Sequence, residues 1–162
     1  MITAPTPAAA GTALYRFEGE LTDIAPIGLT HAGARFDSTF EAALVDGALG
    51  EGRVRGVDNF LLRPDGVGVI DTRFVIEARE GHVHCHARGY VIPQPGMPAP
   101  PLEAVMAPGF RWPDIDLPIT EAAFCETGAP ALAHLNHTVA EGWGAVNMAT
   151  RRLVIETRAL AR

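Results

Sequence analysis

The chain has 162 residues, a formal charge of −6 and no lysine, so all 13 of its basic residues are arginines. That composition excludes a Schiff-base lysine, with the pyridoxal-phosphate and aldolase chemistry that needs one, and it excludes the lysine of a phosphate-binding P-loop. The net negative charge, with no basic run longer than Arg151-Arg152, argues against nucleic acid as a partner, because phosphate binding draws its affinity from clustered positive charge.

The length predicts a single domain able to bury a core without disulfide or metal staples. Residues 1–12 have neither the basic start nor the apolar run of a signal peptide and read as a flexible leader, with one domain over 13–162. No apolar run reaches the roughly 18 residues that would span a bilayer, so the expectation is a soluble, cytoplasmic protein with no membrane partner.

Taken in order, Ala13–Leu21 alternates Tyr15, Phe17 and Leu21 against Arg16, Glu18 and Glu20, as a half-buried strand should. Arg35–Val45 does likewise with Phe36, Phe40 and Ala42, although its FEAAL end is compatible with a helical turn. Arg53–Ile92 then reads as three consecutive antiparallel strands. The first turn is Arg63-Pro64-Asp65-Gly66-Val67, in which proline presets φ and glycine takes the left-handed position, making Arg63 and Val67 partners. At the second, Arg79-Glu80-Gly81-His82, a two-residue loop would set Arg79 opposite His82. These registers put Phe60, Leu62, Ile70, Phe74, Ile76, Val83, Cys85, Ala87 and Val91 on one face, with Asp58 and Thr72 at its end. The other, wetter face carries Asn59, Leu61, Val69, Asp71, Arg73, Glu77, His84, His86, Arg88 and Tyr90.

Residues 93–118 hold eight of the 13 prolines and cannot lie inside a sheet, since proline donates no ladder hydrogen bond. The segment reads as an ordered flap over one end of the fold, with LEAVM as one helical turn; an arm reaching another subunit is the rival. Thr138–Met148 and Arg152–Leu160 close the chain as strands. With no helical periodicity over 11 residues or more, the fold class is all-β, of seven to nine strands. Such an amphipathic sheet must bury its apolar face by closing as a barrel or by packing on a second sheet.

Several short motifs carry a resemblance: Gly56-Val57-Asp58, Leu62-Arg63-Pro64-Asp65-Gly66, Asp71-Thr72-Arg73, Glu80-Gly81, Gly89-Tyr90, Phe124-Cys125-Glu126-Thr127-Gly128 and Leu135-Asn136. With them the chain resembles, from about Leu14 to Leu160, the bacterial and fungal family called domain of unknown function 3237. The chain departs from that pattern at Asn59, where an aromatic is common, and at His134 and His137, where tryptophan and arginine are. The resemblance implies a single antiparallel β-barrel. It assigns no agreed activity, but such barrels resemble others that hold apolar or aromatic ligands, including cofactor-free cyclases and isomerases.

Asp58 leads the candidate residues: on the apolar face beside Thr72 its carboxylate would lose water, its pKa would rise, and it would suit general acid/base work. The competing reading has it at a strand end, capping the Val57-Asp58-Asn59 turn. His134, Asn136 and His137 follow Glu126 closely enough to supply imidazoles, an amide and a carboxylate at the rim, or else form a polar capped loop. Arg111 and Trp112 offer a cation and a hydrophobic wall, or simply anchor the flap. Asp58, His134 and His137 are therefore the catalytic candidates, with Thr72, Phe60, Phe74, Arg111, Trp112, Glu126 and Asn136 lining the ligand. His82, His84 and His86 have the alternate spacing of metal ligands, but Arg73, Arg79 and Arg88 share their face, so no metal is expected. Asp65 belongs to its turn, Asp71 and Arg73 read as a surface pair, and Cys85 and Cys125 as buried reduced thiols. Ser38, the only serine, has no nucleophile elbow.

The function expected is a barrel binding a small apolar or aromatic molecule, with isomerase, cyclase or lyase chemistry by proton transfer and no cofactor. The alternatives are a carrier or sensor barrel without chemistry, and an assembly module clasping a partner with the flap. A homodimer is compatible with each.

Overall fold

The period-two alternation of apolar and polar side chains runs through eight strands in the computed structural model, which describes residues 11–160. They are β1 (Ala13–Thr30), β2 (Gly33–Asp46), β3 (Gly52–Leu62), β4 (Gly68–Ala78), β5 (Gly81–Val91), β6 (Leu117–Thr127), β7 (Val139–Asn147) and β8 (Arg152–Ala159). Each pairs antiparallel with the next and β8 returns to β1, so the sheet closes as a barrel and the apolar face is satisfied by its own curvature. Of the expected leader, residues 1–10 lie outside the described residues. Thr12, by contrast, accepts a hydrogen bond from the Ala159 N–H at 3.0 Å and so is tied to β8.

The core is the inner face. Tyr15, Phe17, Phe40 and Phe74 form a continuous aromatic group with ring centroids 5.8–6.2 Å apart, and Ile76, Val83, Cys85 and Ala87 are wholly buried beside it. The Pro-Asp-Gly turn has the expected register: the Arg63 N–H donates to the Val67 oxygen at 2.9 Å, Gly66 has φ 83°, and Asp58 faces Thr72. Asp65 accepts the Val67 N–H and pairs with Arg63, which is its turn role. At the second turn the two loop residues are Arg79 and Glu80, so Ala78 faces Gly81 and Glu77 faces His82, in place of Arg79 facing His82. That slip shifts the pairing by two residues, which preserves every face.

Three elements differ from expectation. β6 was not anticipated, because the prolines before it obscure its start. β1 runs on to Thr30 through three register shifts, and beyond Glu20 it has no β8 partner, which is where Pro26 is tolerated. The FEAAL end of β2 stays extended. The flap contains the expected turn as α1 (Leu102–Met106), whose Val105 is buried against Ala34, Phe36 and Leu62 of the same barrel. Trp112 packs edge-on to both Phe110 and Phe36. The opposite end is closed by a 3₁₀ helix, Pro130–His137, that buries Leu132 and Leu135 in the core. Among the described residues no helix is long and apolar enough to cross a membrane.

Because Ile76 is fully buried in the closed wall, Ile76→Ala is expected to lower unfolding free energy by about 2–5 kcal/mol, read as a shifted urea midpoint with unchanged slope.

Candidate functional site

Two cavities meet inside the flap end of the barrel. The inner one, about 60 Å³, is walled by Phe17, Phe40, Phe60, Phe74, Ile70 and Ile155 among others, with four polar side chains, Ser38, Asp58, Thr72 and Glu121. The outer one, about 460 Å³, lies under the flap between Met97, Pro98, Phe110, Trp112, Ile115 and Leu117, and shares Phe60, Val91, Val146 and Met148 with the inner. The outer volume falls in the range that takes a small ligand, about 300–1,000 Å³. The inner is smaller than the about 150 Å³ that accommodates a benzene ring, and fits a head group or a few waters.

Asp58 stands in mid-strand, not at a strand end, so the turn-capping reading does not hold. No ladder pairs are formed between its match with Thr72 and that of Leu61 with Val69. In that interval side chains replace the ladder. The Asp71 N–H donates to Asp58 Oδ1 at 3.0 Å, and Asn59 Nδ2 donates to the Asp71 carbonyl at 3.4 Å. The Thr72 hydroxyl adds a third contact, to Oδ1 at 3.3 Å, and Oδ2 has no partner among the described residues. Loss of water pushes the Asp58 pKa up to about 6, although the two hydrogen bonds work against it.

Glu121 is the residue that sequence reading missed. It is 9% exposed and sits on β6 between Gly89 of β5 and Gly142 of β7. A Cβ on Gly142 would come within 2.8 Å of Glu121 Cγ and Oε1, so the glycine is what leaves room for this side chain. No hydrogen bond from the described residues reaches its carboxyl. Desolvation first, then the charge of Asp58, raise its pKa to about 8. The signal was present in the alternation Ile119, Glu121, Ala123, Cys125, which puts a carboxylate on an apolar face, but it is legible only once the segment is read as a strand.

Of the expected residues, Asp58, Thr72, Phe60 and Phe74 come together in the inner cavity, and Trp112 lines the outer one. The others do not join them. His134 and His137 are exposed on the 3₁₀ helix at the opposite end of the barrel, because nearness in sequence to Glu126 says nothing about which end a loop occupies. Asn136 is a clasp: its Oδ1 accepts the Thr127 N–H at 2.7 Å and its Nδ2 donates to the Thr127 carbonyl at 3.0 Å. Glu126 points outward from β6, and Arg111 is exposed on the flap. Ser38, set aside as a nucleophile, nonetheless lines the inner cavity opposite Asp58.

On the outer wall, His86 Nε2 meets Asp71 Oδ1 at 2.7 Å and Arg88 Nε lies 3.8 Å from Asp71 Oδ2, so the partners of Asp71 are these and not Arg73. The hydrogen bond with His86 holds the Asp71 carboxyl below its usual range. Glu77 pairs with Arg55 at 2.9 Å and faces His82, not His84. Cys85 and Cys125 are free, buried and cross-strand partners with sulfurs 3.0 Å apart.

The molecule is thus a small closed β-barrel with two carboxyls in an apolar interior. No protein-family model matches the sequence, and no curated protein does. Solved structures share the fold. A β-barrel-like protein from Acinetobacter baumannii matches with a TM-score of 0.72 at 21% identity, over 97% of this chain and 99% of that one. A conserved protein of unknown function from Rhodopseudomonas palustris matches at 0.67 and 18%, over 95% and 99%. An enzyme from Penicillium herquei matches at 0.56 and 16%, over 98% and 99%. At these identities the likeness establishes the fold.

Asn136→Ala removes both bonds to Thr127 and should cost about 1–3 kcal/mol in denaturant unfolding, with binding of small aromatic probes unchanged. Asp58 and Glu121 have folded-state pKa values above their unfolded ones, so the native state binds the extra protons. Their contribution is whole below about pH 4 and is lost as pH rises through about 6 and then about 8. Glu121→Gln should therefore flatten that fall in stability by on the order of 5 kcal/mol, seen by comparing urea midpoints at about pH 4 and above about pH 8.

Proposed function

We propose that this barrel binds a small apolar molecule and moves a proton on it, using Asp58 as base and Glu121 as acid and no organic cofactor. The observation that carries the reading is the pair of carboxyls in one apolar cavity. With pKa values of about 6 and about 8, near pH 7 the first is mostly ionised and the second mostly protonated. Two acids whose environments push their titrations apart can work as a base and an acid within one site. Asp58 Oδ2 is free to accept a proton while Oδ1 is fixed by Asp71 and Thr72. Isomerisation, cyclisation and elimination all fit this equipment. That a barrel of this fold from Penicillium herquei is described as an enzyme is in keeping with catalysis.

Kinship with the family of domain 3237 belongs to the same proposal and rests on the short motifs. The flap gives the ligand site its outer half, with Trp112 and Phe110 as hydrophobic walls. A carrier or sensor role would use the same cavities without chemistry, and the apolar outer cavity alone would suffice for it. The two readings separate in one experiment. Candidate lipophilic metabolites are incubated with the protein and analysed by mass spectrometry and NMR. Turnover should appear with the wild type and fall by about 10²–10⁴ in Asp58→Asn, which keeps the fold. Its rate should rise through about pH 6 as Asp58 ionises and decline through about pH 8 as Glu121 does. Compounds bound and released unchanged would establish the carrier, and turnover untouched in Asp58→Asn would remove this mechanism.

A further inference from the structure

Resting on that acid/base reading, we infer the class of its substrate: a neutral lipophilic carbonyl compound, whose oxygen is received by the Glu121 carboxyl while Asp58 exchanges a proton with the adjacent carbon. Every described residue lining the outer cavity is apolar, a glycine or a proline, apart from the indole of Trp112, and among the described residues no cation lines either cavity. A ligand carboxylate or phosphate would have to shed its water there with no counter-charge, facing two acidic side chains, which is strongly unfavourable. A ligand cation would find Asp58, but its body would have to be fully desolvated on the way through the outer cavity.

Glu121 is nine-tenths buried, lines the inner cavity, and receives no hydrogen bond from the described residues. A buried polar group left without a partner is unfavourable, so a ligand oxygen that accepts its proton restores what the fold leaves open. Ser38 and Thr72 add hydroxyls near Asp58, on the opposite side of the same small cavity. The inner cavity, at about 60 Å³, has room for the carbonyl and its neighbouring carbon, while the rest of the molecule occupies the outer about 460 Å³.

The step balances without a redox partner. Asp58 Oδ2 takes a proton from the carbon next to the carbonyl, the C–H electron pair becomes a C=C bond, and the carbonyl π pair moves to oxygen, which takes the Glu121 proton. The resulting neutral enol is then reprotonated by Asp58 at the same carbon or at a conjugated one, and Glu121 recovers its proton. Substrate and product are isomers. Each residue ends the cycle as it began.

The test uses the intact chain near neutral pH and three probes of the same ring size: 2-naphthol, which presents a neutral enol-like oxygen, 2-naphthoate, which presents a carboxylate, and 2-tetralone, an enolisable ketone. Calorimetry should show 2-naphthol binding about tenfold or more tightly than 2-naphthoate. Glu121→Leu should lose most of that preference, and Glu121→Gln, which retains a donor, should keep it. Should the leucine variant not fold, the pH dependence serves instead: wild-type affinity for 2-naphthol should weaken as pH rises through about 8, and that of Glu121→Gln should not. NMR in D2O should show deuterium entering the α-positions of 2-tetralone faster than in buffer, and at the buffer rate in Asp58→Asn. Equal or tighter binding of 2-naphthoate, or an unaltered preference in Glu121→Leu, overturns the neutral-carbonyl assignment; persistent exchange in that case leaves the acid/base reading intact. Preference for 2-naphthol without exchange overturns the acid/base reading itself, and the absence of both overturns both.

Discussion

A carboxyl that finds no hydrogen-bond partner among the described residues, held inside an apolar barrel, is the feature to which the rest of this molecule is fitted. Glu121 can occupy its position only because the strands on both sides offer glycines there, Gly89 and Gly142, whose missing side chains leave it space. Its ionisation is opposed by lost hydration and by the charge of Asp58, so it retains its proton into neutral pH. An aromatic group of Tyr15, Phe17, Phe40 and Phe74 supplies burial that offsets the cost of keeping such a group inside.

Asp58 is held by a different device. Where β3 and β4 stop exchanging ladder bonds, the Asp58 and Asn59 side chains take over the backbone groups of Asp71, one accepting its N–H and the other donating to its carbonyl. Both of these Asp71 backbone groups are thereby satisfied by side chains, and one carboxylate oxygen of Asp58 is fixed in the exchange. Outside the wall the Asp71 side chain is engaged by His86 and Arg88. Asp71 thus joins an outer-surface ion cluster to an inner carboxylate through its own backbone. Of the row of histidines in the sequence, His86 contributes to this support through its contact with Asp71.

The two ends of the barrel have separate tasks. At one, the Pro-rich segment docks through Val105 and Trp112 and roofs the outer cavity. At the other, the 3₁₀ helix plugs the barrel with Leu132 and Leu135 and is pinned to β6 by Asn136. His134 and His137 belong to this plug. Reading them as partners of Asp58 failed because a short distance along the chain can still leave two groups separated by the length of a strand. Glu121 escaped for the converse reason: Pro118 and the prolines before it make the start of β6 look like more of the loop, although Ile119, Ala123 and Cys125 carry the alternation plainly.

From its own chain the protein declares which way its side chains face. Period-two alternation and the Pro-Asp-Gly turn are local physics, and they were enough to turn Asp58, Thr72, Phe60 and Phe74 inward and the histidines outward; even the mistaken second turn changed no face, since it slipped by two residues. What local physics does not contain is who stands across the interior. Asp58 on β3 and Glu121 on β6 are not paired by any ladder, and they share a cavity only because the sheet closes and curves them toward one another. The face of each carboxyl was written in its neighbours along the strand, while their meeting in one cavity, and the burial that first raises both titrations, was decided by closure of the barrel.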